Sequence, residues 1–128
     1  LERIDAYIAR RHEIAEQYDA AFADLPVTIP WRDPADHLAM HLYPILINEE
    51  AGKSRREIFE ALRGADIGVN VHYIPVHTQP DYQRLGFSVR QFPAAEDYYA
   101  RTISIPMYPM LSERDQCLVE HQLSKAFG

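Results

Sequence analysis

The chain has 128 residues, with 13 Lys+Arg against 19 Asp+Glu and a formal net charge of −6. Hydrophobic residues make up 47% and charged residues 25%, the balance of one soluble globular domain long enough to hold a real core. That balance excludes collagen-like, low-complexity and disordered chains, and the acidic surplus without a basic stripe excludes nucleic acid and anionic membranes as obvious partners.

The chain opens on Leu1-Glu2-Arg3-Ile4, already in helical register, with no initiator Met, N-cap or signal peptide. The expectation is a segment of a longer protein whose first helix continues upstream. Ile4, Ile8, Ala15, Tyr18 and Phe22 recur at multiples of three to four residues, an apolar stripe on a helix over 1–23 that Leu25-Pro26 ends. Residues 26–36, with Pro26, Pro30 and Pro34, read as loop. His37 to Ile47 reads as a strand, with Leu38, Met40 and Leu42 on one side and His37, Ala39, His41 and Tyr43 on the other. Pro44 lacks a ladder N–H, so this strand is expected at an edge or bulged there.

Ser54-Arg55-Arg56-Glu57 is a capping box. The helix it starts runs to about Arg63, with Ile58, Phe59 and Leu62 inward and Gly64 as the C′ residue. Ile67 to Ile74 reads as a second strand, Ile67, Val69, Val71 and Tyr73 facing one side and Asn70, His72 and Ile74 the other. Pro75 stops it. The stretch 75–92 has no period, but Tyr82, Leu85, Phe87 and Phe92 predict an ordered loop with short turns of its own. Pro93 opens a short helix to about Arg101 that packs through Ala94, Ala95 and Tyr98. Ile103 to Met107 is a third strand, and Ser112 starts a final helix with Leu118, Val119, Gln122 and Leu123 on its inner edge.

This order predicts an α+β fold: a two-layer α/β sandwich, with a small, mostly antiparallel sheet of about three strands and helices on one face. Met40, Leu42, Val69, Val71 and Ile105 exceed what the helix-covered face would bury beside Tyr43 and Tyr73, so the other face is expected to meet something else.

His72 to Gln79 is the densest polar cluster: two imidazoles, a phenol, a hydroxyl and an amide at a strand end. Such groups suit hydrogen bonding to a polyhydroxylated or phosphorylated ligand, and equally a packed loop whose His and Tyr satisfy backbone carbonyls. Arg84 and Arg90 in the same loop either meet an anion or are simply solvated, the plainer reading. His37 and His41 would share a strand face and, with His72 or His77, a metal, but no metal motif accompanies them and structural histidines are the simpler reading. Cys117, beside Leu118, reads as a packed core thiol; being the one cysteine, it permits no internal disulfide, which fits a reducing, cytoplasmic setting.

An ordered series of motifs carries more. It runs Gly68-Val69-Asn70-Val71-His72-Tyr73-Ile74-Pro75-Val76-His77, Gln79-Pro80-x-Tyr82, Leu85-Gly86-Phe87, Phe92-Pro93-x-Ala95-Glu96-x-Tyr98-Tyr99, Ile103-Ser104-Ile105-Pro106-Met107-Tyr108-Pro109 and Leu111-Ser112. With Arg11, Ile14, Ala15 and Tyr18 of the opening helix, it resembles the C-terminal part of DegT/StrS-type nucleotide-sugar aminotransferases. Within that family it is similar to the pseudaminic-acid-pathway and spore-coat polysaccharide enzymes, over nearly the whole chain.

The resemblance implies the small domain of an aspartate-aminotransferase type I fold, with residues 1–25 as the inter-domain helix and 26–128 as the C-terminal small domain. It implies pyridoxal phosphate held by a lysine of a large domain absent here, and active sites at a homodimer interface. The implied reaction moves an amino group, usually from glutamate, to a 4-keto nucleotide sugar. Lys53, in a polar turn beside Glu49 and Glu50, and Lys125, near the C-terminus, read as ordinary surface lysines. The chain by itself is therefore expected neither to hold the cofactor nor to transaminate. By motif position, His72, Tyr73 and His77 would approach the sugar nucleotide, with Asn70 and Gln79 beside them. The competing reading is a stand-alone α/β ligand-binding or regulatory module without catalysis.

Overall fold

The computed structural model describes residues 2–33 and 38–128. Helix α1 (Ile4–Ala21) leads to β1 (Val27–Thr28), β2 (Tyr43–Ile47), α2 (Arg55–Gly64), the short α3 (Pro80–Arg84), α4 (Pro93–Arg101), β3 (Thr102–Ile105) and α5 (Glu113–Phe127). The three strands lie in the order β1-β2-β3, both pairs antiparallel. The α+β class and the small antiparallel sheet are as predicted, but the strands are not all the predicted ones.

The predicted strand from His37 is reduced to Tyr43–Ile47. His37 itself lies outside the described residues. Before Tyr43, the carbonyls that a ladder would use are taken from elsewhere. His12 Nε2 donates to the Leu38 carbonyl at 2.7 Å, Arg11 donates to that of Met40 at 2.7 Å, and the Met40 N–H turns back to Leu38. Pro44 sits in the central strand rather than at a sheet edge or bulge, and the register explains why this is tolerated. Ser104, opposite Pro44, spends both its N–H and its C=O on Asn70, at 2.8 and 3.1 Å. Pro44 and Ser104 are thus a non-hydrogen-bonded pair, and the missing N–H of Pro44 points toward β1. There β1 has already ended, since it reaches only Leu46 and Ile47.

The predicted strand Ile67–Ile74 is reduced to that single Asn70–Ser104 bridge. On one side the next pair would need an N–H from Pro106, which has none. On the other, the Asn70 side chain takes the Val71 N–H at 2.8 Å, and the pairing goes no further than Asn70. Tyr73, predicted on the apolar side, is 72% exposed. In place of that strand the sheet gains the two-residue β1, inside the predicted loop.

Helix starts follow the capping chemistry. Ser54 Oγ accepts from the Glu57 N–H while the Glu57 carboxylate accepts the Ser54 N–H, and Ser112 Oγ accepts from Asp115. Pro80 and Pro93 occupy first turns of α3 and α4. At the end of α2, Gly64 is still helical, and Asp66 rather than Gly64 is the C′ residue, with φ +60°. The Asp66 N–H bonds Arg63 and the Ile67 N–H bonds Leu62, the paired closure of a Schellman end.

One sheet face carries Tyr43, Ile45, Ile47, Ile103 and Ile105, all buried. Against this core lie Ile58 and Leu62 of α2, Val119 and Leu123 of α5, and Ile14, Ala15, Tyr18 and Phe22 at the end of α1. Each fully buried aliphatic here contributes roughly 1.5–3 kcal/mol. The buried phenols are satisfied: Tyr18 donates to the Pro106 carbonyl at 2.9 Å and Tyr43 to Asp19 at 2.6 Å, while Arg32 pairs with the same Asp19. Burial pushes both phenols above their ordinary range, so they remain neutral donors.

Ile4, at the start of the predicted stripe, is exposed, because the first turns of α1 run past the core. On α5 the buried side is Gln116, Val119 and Leu123, and Gln116 donates to the Ile14 carbonyl at 3.0 Å. Cys117 lies one residue round the helix and is exposed rather than packed in the core, as is Leu118. Ala94, Ala95 and Tyr98 of α4, predicted to pack, are exposed as well.

Candidate functional site

The second face of the sheet differs in chemistry. Partners in register share a face, so Thr28, Pro44, Leu46, Thr102 and Ser104 line it, with Asn70 opposite Ser104. His72, two residues on from Asn70, comes to the same side, where its Nδ1 bonds Ser104 Oγ at 2.8 Å. Its ring stands edge-on to Tyr73, with centroids 4.6 Å apart. Asn70, His72 and Tyr73 therefore form one polar corner at the sheet edge, with the Tyr73 ring projecting into solvent.

The chain then turns at Pro75, where Thr78 Oγ1 donates to the Pro75 carbonyl at 2.7 Å. His77 follows on the inner side of this turn and is only 7% exposed. Its Nε2 bonds Glu96 Oε1 at 2.8 Å, and the Phe92 ring packs on it at 4.8 Å. Gln79 ends the turn half-buried, its backbone accepting from the Gln83 N–H at the start of α3. The five predicted residues thus divide into two groups: Asn70, His72 and Tyr73 on the sheet edge, and His77 and Gln79 on the turn below.

Between turn and α4 lies an open apolar groove of about 390 Å³ lined by Pro75, Val76, His77, Tyr82, Phe87, Phe92 and Ala95. Tyr82, Phe87 and Phe92 form its floor as a chain of tilted rings at 6.1 and 6.3 Å. A larger concavity of about 640 Å³, between α1 and residues 28–33, holds none of the predicted site residues.

Two residues of this region escaped the sequence reading as site residues. Ser104 anchors His72, and Glu96 anchors His77. Glu96 sits in the first turn of α4, where a carboxylate is favoured, and the same Oε1 also accepts the Arg90 N–H at 2.7 Å. The His77 bond, together with the Arg90 and Phe92 amides, holds this carboxyl below the usual carboxylate range. The available signal was the capping position of Glu96 just after Pro93; its bond to a residue nineteen positions earlier has no local signature.

The other candidates resolve plainly. Arg84 pairs with Asp81 at 2.8 Å on the exposed side of α3 and bonds no group of the site. His41 is exposed, and among the described residues no group of three His, Cys, Asp or Glu side chains is placed to hold a metal ion. No helix of the described residues is long and apolar enough to cross a membrane.

Comparison with known proteins bears on this arrangement directly. The model of the DegT/DnrJ/EryC1/StrS aminotransferase family matches residues 1–124. The chain belongs to this family. The spore coat polysaccharide biosynthesis protein SpsC of Bacillus subtilis is 42% identical over 119 residues, 90% of this chain and 31% of SpsC. The UDP-4-amino-4,6-dideoxy-N-acetyl-beta-L-altrosamine transaminase of Campylobacter jejuni is 34% identical over 96% of this chain and 33% of its own length. Among solved structures, Helicobacter pylori PseC, an aminotransferase involved in the biosynthesis of pseudoaminic acid, superposes with a TM-score of 0.89 at 30% identity, covering 99% of this chain and 34% of PseC. The PLP-form of Spr1654 from Streptococcus pneumoniae gives a TM-score of 0.89 at 26% identity, with 99% and 33% covered. The chain thus spans about a third of the length of the curated relatives it matches.

The PLP-form of that neighbour raises the question of whether these residues fit the cofactor. They do not fit its covalent attachment. Lys53 and Lys125, the only lysines of the chain, are both exposed, whereas that chemistry needs an amine held out of water.

Proposed function

We propose that this chain is the small-domain part of a pyridoxal-phosphate-dependent aminotransferase. The parent enzyme moves an amino group from an amino acid, glutamate, to a 4-keto sugar carried on a nucleotide, in the building of amino sugars and surface polysaccharide. The family match over 1–124 and the named activity of the Campylobacter jejuni relative support the reaction class. The exposed lysines support the division of labour: the residue that bonds the cofactor belongs to the rest of the parent, and these 128 residues alone do not transaminate.

The observation that carries the role of this part is the polar corner at the edge of the second sheet face, Asn70 and His72 bonded to Ser104 and Tyr73 against the His72 ring, beside the apolar groove. On this reading residues 70–79 wall one side of the substrate cleft. Asn70, His72, Tyr73, His77 and Gln79 offer hydrogen-bonding groups to sugar hydroxyls and phosphate oxygens, and the aromatic floor takes the apolar face of a deoxysugar. Their work is positioning, with no proton abstracted by them. The parent acts as a cytoplasmic homodimer, a setting consistent with a chain whose one cysteine has no intrachain partner.

The test uses the full-length parent with glutamate and a 4-keto nucleotide sugar. His77→Ala and Tyr73→Phe are each expected to raise KM about tenfold while kcat falls much less, the signature of lost binding rather than lost chemistry. Unchanged KM in both variants sinks the assigned role, and a full-length protein that aminates no keto sugar sinks the activity.

A further inference from the structure

We propose that Glu96 is a positioning residue: its carboxylate keeps the proton on Nε2 of His77 and so presents Nδ1 of that ring as a hydrogen-bond acceptor for a sugar hydroxyl. The inference rests on the reading above, in which His77 belongs to the substrate wall, and it names the atom and the ligand group.

The geometry leaves little freedom. An imidazole that bonds an ionised carboxylate must be the donor in that bond, because the carboxylate has no hydrogen to give. Glu96 is ionised at neutral pH, and Nε2 of His77 lies 2.8 Å from its Oε1. Nε2 therefore bears a hydrogen, and in the neutral ring Nδ1 is bare. Among the described residues nothing bonds Nδ1. The ring is closely packed: it is 7% exposed, and the Phe92 ring leans against it at 57° with centroids 4.8 Å apart.

Glu96 is itself held. The Arg90 N–H donates to the same Oε1 at 2.7 Å, and the carboxylate stands in the first turn of α4. The bond spans the loop between His77 and α4, so one carboxylate sets both the ring and the backbone that frames the groove. His72 is anchored differently. Its Nδ1 meets the Ser104 hydroxyl at 2.8 Å, and a hydroxyl donates or accepts as required. His72 is thus free to present either tautomer to a ligand, whereas His77 presents one. A fixed acceptor selects for a ligand hydroxyl or amide N–H and against a phosphate oxygen, which has no hydrogen to offer. In the neutral ring this makes the sugar rather than the diphosphate the partner of His77.

A double-mutant cycle in the full-length enzyme separates positioning from general loop support. Glu96→Gln is expected to raise KM for the keto-sugar nucleotide about tenfold in the otherwise native enzyme, the scale of one lost charge-assisted bond. In a His77→Ala background the same substitution is expected to add nothing. An equal rise in both backgrounds, or no rise in the native one, overturns the proposal. A KM unmoved by His77→Ala itself counts against the substrate-wall reading, and so separates the two failures. A second measurement needs no variant: the imidazole 15N spectrum of the native full-length protein, at a pH where the ring is neutral. A proton on Nε2 and a bare Nδ1 for His77 support the proposal, and the opposite tautomer overturns it even if Glu96→Gln fails to fold.

Discussion

Ile103 and Tyr82 belong to one small fold but to different kinds of structure. Ile103, in β3, is fully buried between the sheet's apolar face and the helices behind it. Tyr82, on α3, is exposed, as is every residue from 80 to 95. Yet that segment is no less organised. Its order comes from short-range bonds: Thr78 to Pro75, Phe87 to Tyr82, Ser88 to the Gln91 side chain, and Glu96 to both His77 and the Arg90 amide. Burial holds the first region and local hydrogen bonds with ring contacts hold the second. A region of the second kind can open without unfolding the rest. The groove and the anchored histidine sit where the two regions meet.

The sharpest way to break this comparison is to weaken each region in turn. Ile103→Ala leaves a cavity in the dry face of the sheet and is expected to cost about 2–5 kcal/mol, read as a lower midpoint in urea. Glu96→Ala is expected to leave that midpoint nearly in place. Its effect should appear instead in amide exchange: Arg90 and Leu85 to Phe87 lose about tenfold in protection, and the β3 amides lose none. A Glu96→Ala midpoint that falls as far as that of Ile103→Ala would mean the segment and the core are one cooperative unit.

The same contrast accounts for what was legible in the sequence. The helix starts at Ser54, Pro93 and Ser112 rest on chemistry within one turn, and all appear in the structure. The ordered character of 75–92 was legible from its aromatics. Strands were harder. Leu38, Met40 and Leu42 alternate as a strand should, but Arg11 and His12 on α1 bond that backbone, and no periodicity reports on them. Two-residue β1 has no period to read. Cys117 and Leu118 read as inner residues because apolar character alone does not set the angle of a helix; Gln116, polar and fully buried against the Ile14 carbonyl, sets it here. The site was legible as a cluster, His72 to Gln79, but its anchors were not. Ser104 and Glu96 reach it across 32 and 19 residues of chain.

The smallest expected effect is also the one that tests how separate the two regions are under native conditions. Glu96 titrates below its ordinary value of 4.5 because His77 and the Arg90 and Phe92 amides bond its charged form. A carboxyl depressed in the folded state adds stability that is fully present above the ordinary value and is lost as pH falls through the folded one. Glu57, depressed by the Ser54 backbone and side chain in the α2 cap, has the same sign, whereas Glu120, raised by burial, has the opposite one. On acidification below about pH 4.5, exchange corrected for its intrinsic pH dependence should rise first at Arg90 and its neighbours. The first turn of α2 should fray over the same range, while the β3 amides hold. In Glu96→Gln the acid-induced step at Arg90 should vanish, because no proton is left to add there. A step that survives that substitution must come from another carboxyl, and the local clasp would then not be what holds the segment against the core.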